Sequence, residues 1–258
     1  MPSFDYDLFV VGAGSGGVRA ARVSSQLGAR VAVAEDDRLG GTCVNVGCVP
    51  KKLFVYGSHF AYDLEDARGY GWTTQPRFDW RTLVNHKDQE ISRLNGVYAN
   101  VLEGAGVELI RGRARLLDPH TVEVDGARHT AGRILVATGG RPELPTIEGA
   151  ELALTSNAMF ELESLPEHAL VVGAGYIALE LGSILNALGV KVTLVHRGEE
   201  ILRGFDRDLR HHLHTELENK GVEIRLETQV SSLSSLGEGV EAVRGVGEAL
   251  PDLSGLGG

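Results

Sequence analysis

Asp7-Leu8-Phe9-Val10-Val11-Gly12-Ala13-Gly14-Ser15-Gly16-Gly17 is the stretch on which the fold of this chain turns. Its apolar run reads as a buried parallel strand, and the Gly12-x-Gly14-x-x-Gly17 pattern follows with no intervening residue. Val18 to Leu27 then has amphipathic helical spacing, and a second strand from Arg30 to Ala34 ends at Glu35, 23 residues after Gly12. A glycine pattern alone is weak evidence, whereas strand, turn, helix, strand and acid in this order form a complete dinucleotide-binding unit. Gly12 permits the tight turn, Gly14 lets backbone approach a pyrophosphate, and Gly17 lets helix and strand pack closely. The helix start offers unpaired N–H groups to the anion. Glu35 is placed to accept from a ribose hydroxyl and to repel a 2′-phosphate, so this site is expected to hold an unphosphorylated adenosine.

The unit recurs 161 residues later. Leu170 to Val172 leads into Gly173-Ala174-Gly175-Tyr176-Ile177-Ala178, a helix through Leu188 and a strand from Lys191 to Val195. The position matching Glu35 is His196, followed by Arg197 and, six residues on, Arg203. Loss of the carboxylate and gain of two planar guanidinium groups reverses the charge preference, so the second site is expected to favour NADPH over NADH.

Between these units lies Gly40-Gly41-Thr42-Cys43-Val44-Asn45-Val46-Gly47-Cys48-Val49-Pro50-Lys51-Lys52, which holds the only two cysteines of 258 residues. In a regular helix, residues five apart are separated by ~7.5 Å of rise, while a disulfide needs Cα atoms ~4.4–6.8 Å apart. A bridge here requires a deformed helix. Gly47 tolerates unusual backbone angles, and Pro50 lacks the N–H that would bond the Val46 carbonyl. Lys51, three residues after Cys48, would share its helical face and favour a thiolate. A metal site needs more ligands than these residues and His59 supply. Buried inert thiols and a short structural disulfide are the other readings of the pair; redox cycling between the two nucleotide sites accounts for more of the sequence.

The remaining sequence sets the organisation. Trp80 to Glu103 carries Val84, Ile91, Leu94, Tyr98 and Val101 at helical spacing. Leu109 to Leu117, Thr121 to Val124 and Ala127 to Thr130, with Asp125-Gly126 as a hairpin turn, read as an antiparallel meander closed by a further strand, Ile134 to Ala137. The expected fold is α/β, with two Rossmann-like three-layer nucleotide-binding domains and a small β-meander. Residues 1–145 form the first domain, 146–166 a connection, 167–232 a partial second domain and 233–258 an irregular Gly/Ser-rich tail. His211, His212 and His214 read as a solvated helix face. A hydrophobic content of 43% suits globular cores, and a net charge of −10 disfavours nucleic acid and anionic membranes as partners. The acidic N-terminus is unlike a signal peptide, which points to a cytoplasmic protein.

The cysteine segment, Ile134-Leu-Val-Ala-Thr-Gly-Gly140 and Val172-Gly-Ala-Gly-Tyr-Ile-Ala-Leu-Glu180 resemble the flavin-dependent pyridine nucleotide-disulfide oxidoreductases, over roughly residues 6–230. Lys51-Lys52 and the Arg197/Arg203 pair resemble the glutathione reductase branch most. The resemblance implies FAD and NADPH as cofactors and oxidised glutathione as substrate. It implies Cys48 as the thiol nearest the flavin, Cys43 as the thiol that attacks the substrate, and a Lys51–Glu180 pair beside the flavin with Tyr176 shielding its ring. Gly12, Gly14, Ser15, Gly16, Gly17, Glu35, Thr42, Ala114 and Thr138 match flavin-site positions. Gly173, Ala174, Gly175, Ile177, Arg197 and Arg203 match NADPH-site positions. Ser15, Arg22 and Tyr98 match glutathione contacts, although Arg22 and Tyr98 also suit ordinary helix positions.

The resemblance to glutathione reductases implies a general acid, a histidine paired with a glutamate, in a C-terminal interface domain through which two subunits form a homodimer. This chain has no histidine after His214 and lacks that domain's motifs. It reads as a C-terminally truncated member, in which flavin affinity and glutathione reduction are expected to be weakened. The alternatives are another branch, such as a mercuric reductase or another low-molecular-weight disulfide reductase, and a non-catalytic nucleotide-binding fragment.

Overall fold

The computed structural model describes residues 4–73, 75–236 and 239–243. The chain divides into two compact units, Met1–Pro50 with Asn85–Arg141, and Lys51–Val84 with Pro142–Gly258.

The first unit is built on a six-stranded sheet. Its strands are β1 (Tyr6–Val11), β2 (Val31–Glu35), β3 (Glu108–Arg111), β4 (Ala114–Asp118), β5 (Thr121–Val124) and β6 (Ala127–Val136), in the spatial order β3-β2-β1-β6-β5-β4. The strands β3, β2, β1 and the second half of β6 run parallel, while β4, β5 and the first half of β6 are antiparallel. Alternation along β1 serves two cores, as expected for a strand covered on both faces. Val10 packs with Val18 and Ala21 of helix α1 (Ser15–Gln26), with Val31 and Val33 of β2, and with Leu102 of a long helix α4 (Trp80–Gly104). Phe9 and Val11 pack on the opposite face with Ala32, Ala34 and Val122 and Val124 of the meander. Helices on one face and β-meander on the other give this unit its three layers.

Two strand assignments from the sequence need correction. Leu109 to Leu117 is not one strand, because the chain turns at Gly112 (φ +142), where a Cβ would lie 2.2 Å from Asp125 Oδ2. The part before the turn, β3, joins the parallel sheet beside β2, and only β4 enters the meander. Ala127 to Thr130 and Ile134 to Ala137 are a single strand, since β6 runs through Gly132 and exchanges its partner from β5 to β1. The hairpin at Asp125-Gly126 forms with both residues at positive φ, 48° and 87°, the combination a two-residue type I′ turn needs.

In the second unit, β7 (His168–Val172), β8 (Lys191–Val195) and β9 (Glu223–Arg225) form a parallel sheet with α6 (Tyr176–Ala187) and α7 (Arg207–Asn219). The connection, 146–166, has regular structure of its own. It contains the short helix α5 (Ser156–Met159), and Phe160 packs on Phe54 with ring centroids 5.7 Å apart and planes tilted by 43°. Trp80 Nε1 donates to the Leu162 carbonyl at 2.7 Å. The expected irregular tail is also corrected in part. Strands β10 (Ser232–Leu236) and β11 (Gly239–Val243) pair as an antiparallel hairpin, anchored where the Leu233 N–H meets the Glu148 carbonyl at 2.8 Å. Leu233 packs against Val195 and Val230, so burial recruits a Ser-rich stretch whose composition gave no sign of a strand. The rest of the tail, 244–258, lies outside the described residues.

Candidate active site

The first glycine turn is fixed by contacts that exclude side chains. Gly12 has φ +103, and a Cβ on it would lie 2.5 Å from the Ala137 carbonyl oxygen, where the turn crosses the end of β6. A Cβ on Gly17 would lie 1.8 Å from the Gly12 oxygen, so α1 reaches β1 only because residue 17 is glycine. Glu35 ties the turn to β2, accepting the Ala13 N–H at 2.7 Å and the Asp37 N–H at 2.9 Å. These two bonds leave carboxylate lone pairs free for a ribose.

The start of α1 suits an anion. Gly14 is its N-cap residue and supplies no side-chain cap, the first turn carries no acid, and a Cβ on Gly16 would meet nothing within 4 Å. Helix α6 repeats this around Gly175, with open space at Gly173 and Gly175 and no acid in its first turn. Helix α7, by contrast, satisfies its own N-terminus, since the Asp206 carboxylate accepts the Asp208 and Leu209 N–H groups. Two of these three helices thus leave their N–H donors to an outside anion, and they are the two that follow glycine turns.

The redox segment packs directly onto the first turn. Gly40 bridges Gly14, and the Gly40 N–H donates to the Ala13 carbonyl at 2.9 Å. A short helix α2 (Gly41–Asn45) carries Cys43, and α3 (Cys48–Asp66) begins at Cys48. The helical path breaks between them at Val46 (φ −142, ψ 33). Gly47 is required for a different reason from the one expected. Its φ is not positive, but a Cβ would lie 2.8 Å from the Thr42 oxygen. The fold-back this permits brings the Cys43 thiol within hydrogen-bond reach of Cys48 and of the Ser15 hydroxyl. Both cysteines are free thiols, with Cys48 exposed and Cys43 half-buried.

Burial, reinforced by the neighbouring Cys48 sulfur, pushes the Cys43 thiol up, and the Ser15 hydroxyl offsets this only in part. That is the reverse of the low pKa an attacking thiol wants. The thiol therefore keeps its proton at neutral pH, and its thiolate fraction, small there, grows about tenfold per pH unit up to and beyond the ordinary cysteine value of about 8.5. In the reduced chain, alkylation at Cys43, followed peptide by peptide, should accelerate about tenfold per pH unit between about pH 7 and 8.5. A rate already level below about pH 7 would contradict this.

Two asparagines, Asn45 buried and Asn95 half-buried, hold the segment in place, and sequence reading missed both. Asn45 donates to the Leu39 and Gly41 carbonyls at 3.0 and 2.9 Å. Asn95 of α4 donates to the Leu39 carbonyl at 2.8 Å and to Asn45 Oδ1 at 3.0 Å. Asn45 lies inside the quoted motif, but nothing in the sequence marks a partner 50 residues away.

Other expected residues fall as follows. Thr42 and Thr138 are exposed and Ala114 is half-buried. Arg22 is half-buried on α1, two turns beyond Ser15. Tyr98 packs against the core of β1, β2 and α1. In the second unit, Lys51 Nζ donates to Glu180 Oε1 at 2.8 Å, joining residues 129 apart in sequence. Tyr176, one turn before Glu180 on α6, is 59% exposed, and Ile177 is exposed beside it. Ala174 is buried within the second turn. Arg197 and Arg203 are exposed and, among the described residues, neither forms an ion pair or hydrogen bond. Desolvation and the adjacent Arg197 pull the His196 imidazole below its usual pKa, so it is neutral at physiological pH and adds no charge there.

Among the described residues no His/Cys/Asp/Glu group could hold a metal ion, and no helix is long and apolar enough to cross a membrane. Residues 6–251 match the family model described as pyridine nucleotide-disulphide oxidoreductase. The chain is 47% identical over 240 residues to a glutathione reductase of Nostoc sp., which covers 93% of this chain and 52% of the relative. It is 46% identical over 270 residues to a glutathione reductase of Burkholderia cepacia, covering 100% and 60% respectively. It is 43% identical over 248 residues to a chloroplastic/mitochondrial glutathione reductase of Pisum sativum, covering 92% and 45%. The chain thus spans about half the length of the curated relatives it matches. Paired thiols lying against the first of two uncapped glycine turns agree with that match, and the chain belongs to the pyridine nucleotide-disulphide oxidoreductase family.

Proposed function

We propose that this chain carries the electron-accepting half of an NADPH-dependent, FAD-containing disulfide reductase acting on oxidised glutathione. The observation that carries the reading is the seating of the Cys43–Cys48 pair against the first glycine turn, with Ser15 at the start of α1 reaching Cys43. Gly14, Ser15, Gly16 and Glu35 would hold the pyrophosphate and ribose of FAD. Gly175, Tyr176, Ile177, Arg197 and Arg203 would hold NADPH. When bound, the flavin would take a hydride from the nicotinamide and supply two electrons to the disulfide.

The chain's own residues then perform thiol exchange. Cys43 attacks one sulfur of oxidised glutathione as its thiol gives up its proton, forming a mixed disulfide and expelling one glutathione thiolate, which takes up the proton that Cys43 lost. Cys48 thiolate attacks Cys43 Sγ, releasing the second glutathione and closing the Cys43–Cys48 bridge. Two electrons have passed, one disulfide has been reduced and another formed. Within the second unit, Glu180 holds the Lys51 ammonium at 2.8 Å, which leaves a fixed positive charge one turn along α6 from the exposed Tyr176. Identity to three glutathione reductases and the unpartnered Arg197 and Arg203 support glutathione and NADPH over other members of each class.

The test uses the purified chain reconstituted with FAD and freed of excess. It should retain flavin absorbance, and NADPH should raise its titratable thiols from none to two per oxidised chain. Retained flavin with no new thiols, or no retained flavin, would overturn the reading.

A further inference from the structure

We propose that Arg210 is a positioning residue for Arg203 and thereby sets discrimination between phosphorylated and unphosphorylated nicotinamide dinucleotides. The inference rests on the reading above, in which Arg203 meets the 2′-phosphate of NADPH.

The segment that delivers Arg203 is strained and held. Leu202 has φ +49, a left-handed conformation that branched side chains rarely adopt, and its side chain is buried, with the residue only 8% exposed. Its N–H donates to the Ala174 carbonyl at 2.8 Å, which seats the residue just before Arg203 on the second glycine turn itself. The preceding residue, Ile201, is fully buried, and its carbonyl accepts Arg210 Nε at 2.7 Å. Arg210 Nη2 also pairs with Glu200 Oε2 at 2.5 Å, with the arginine side chain only 18% exposed. A single guanidinium on the first turn of α7 therefore grips both residue 200 and residue 201. Asp206 fixes that turn by capping Asp208 and Leu209 and by accepting the Arg210 N–H at 3.1 Å.

A left-handed, buried leucine persists only where the surroundings over-determine it. Without the Arg210 grip, residues 200–203 can relax toward ordinary backbone angles, and the bond from Leu202 to Ala174 loosens with them. Arg203 would then leave the turn while the turn itself remains. The expected signature is selective: affinity falls for the nucleotide that carries the 2′-phosphate and not for the one that lacks it.

The experiment measures binding of NADPH and NADH to the purified chain by titration calorimetry, for the parent, Arg210→Met, Glu200→Gln, Arg203→Ala and the Arg203→Ala/Arg210→Met double variant. Arg210→Met keeps the length and packing of the side chain. It should weaken NADPH by about tenfold and leave NADH within about twofold. Glu200→Gln, which removes only a half-exposed carboxylate charge, should shift selectivity the same way by a smaller factor. In the Arg203→Ala background Arg210→Met should have no further effect on NADPH, because the two act through one contact. Equal weakening of both nucleotides by Arg210→Met, or an undiminished effect in the Arg203→Ala background, would overturn the proposal while leaving Arg203 as a phosphate contact. An unchanged NADPH-to-NADH ratio in Arg203→Ala would sink the underlying reading, and the proposal with it.

Discussion

Gly17→Ala should unfold the first unit or strip it of flavin, whereas Gly16→Ala, one residue away, should leave the fold intact. The added methyl at residue 17 would sit 1.8 Å from the Gly12 carbonyl oxygen and 3.3 Å from Val10 Cγ1. Neither neighbour can yield cheaply, since the first is backbone and the second lies in the fully buried core. Helix α1 would have to lift off β1, at a cost of about 3 kcal/mol or more, which corresponds to a fall in melting temperature beyond about 10 °C. At residue 16 the methyl meets nothing within 4 Å, so stability should change by less than about 0.5 kcal/mol. The space it fills lies at the open end of α1, so flavin affinity should drop without any change in melting temperature. Thermal unfolding with flavin titration checks both variants. A stable Gly17→Ala chain that binds flavin normally would refute the packing argument.

On the proposed function, Cys43→Ser and Cys48→Ser should each abolish NADPH-driven disulfide reduction, by at least about a thousandfold, while leaving flavin reduction by NADPH in place. They should differ in what accumulates. With Cys43 gone, no mixed disulfide with glutathione forms, because the remaining thiol is the one assigned to resolve it. With Cys48 gone, the Cys43–glutathione adduct should persist and be visible as a mass increase on intact protein. Equal adduct formation in both variants would contradict the division of labour between the two sulfurs. Melting temperatures should move little in either case, since Cys48 is exposed and Cys43 only half-buried.

Much of the site could be read before any coordinates. Both glycine turns, the acid at Glu35 with its substitution by His196, and the deformed helix between the cysteines follow from spacing, because they are properties of backbone geometry within a few residues. The Asp125-Gly126 hairpin was legible for the same reason. Local signals failed where the answer depended on a distant partner. The direction of the Cys43 shift is one case: the local charge signal, Lys51, bears on Cys48, and nothing nearby in sequence marks the burial beside Cys48 that outweighs the Ser15 hydroxyl and pushes the Cys43 thiol up. Asn95 is another, an unremarkable polar residue on a long helix until it is found bonded to Leu39 and Asn45.

Sequence by itself determined that two nucleotide-type βαβ units flank one cysteine pair, because glycine spacing and apolar period are written in consecutive residues and admit few backbone solutions. Only the tertiary structure decided where strands found their partners. Gly112 split one apolar run between two sheet directions, β6 exchanged partners midway, and a Ser-rich stretch became a hairpin against Glu148. It also decided which charges met, pairing Lys51 with Glu180 and Arg210 with Glu200. Strand pairing and ion pairing are chosen by which edges and cavities the folded chain leaves available, and that choice depends on burial at long sequence separation, which no local pattern encodes.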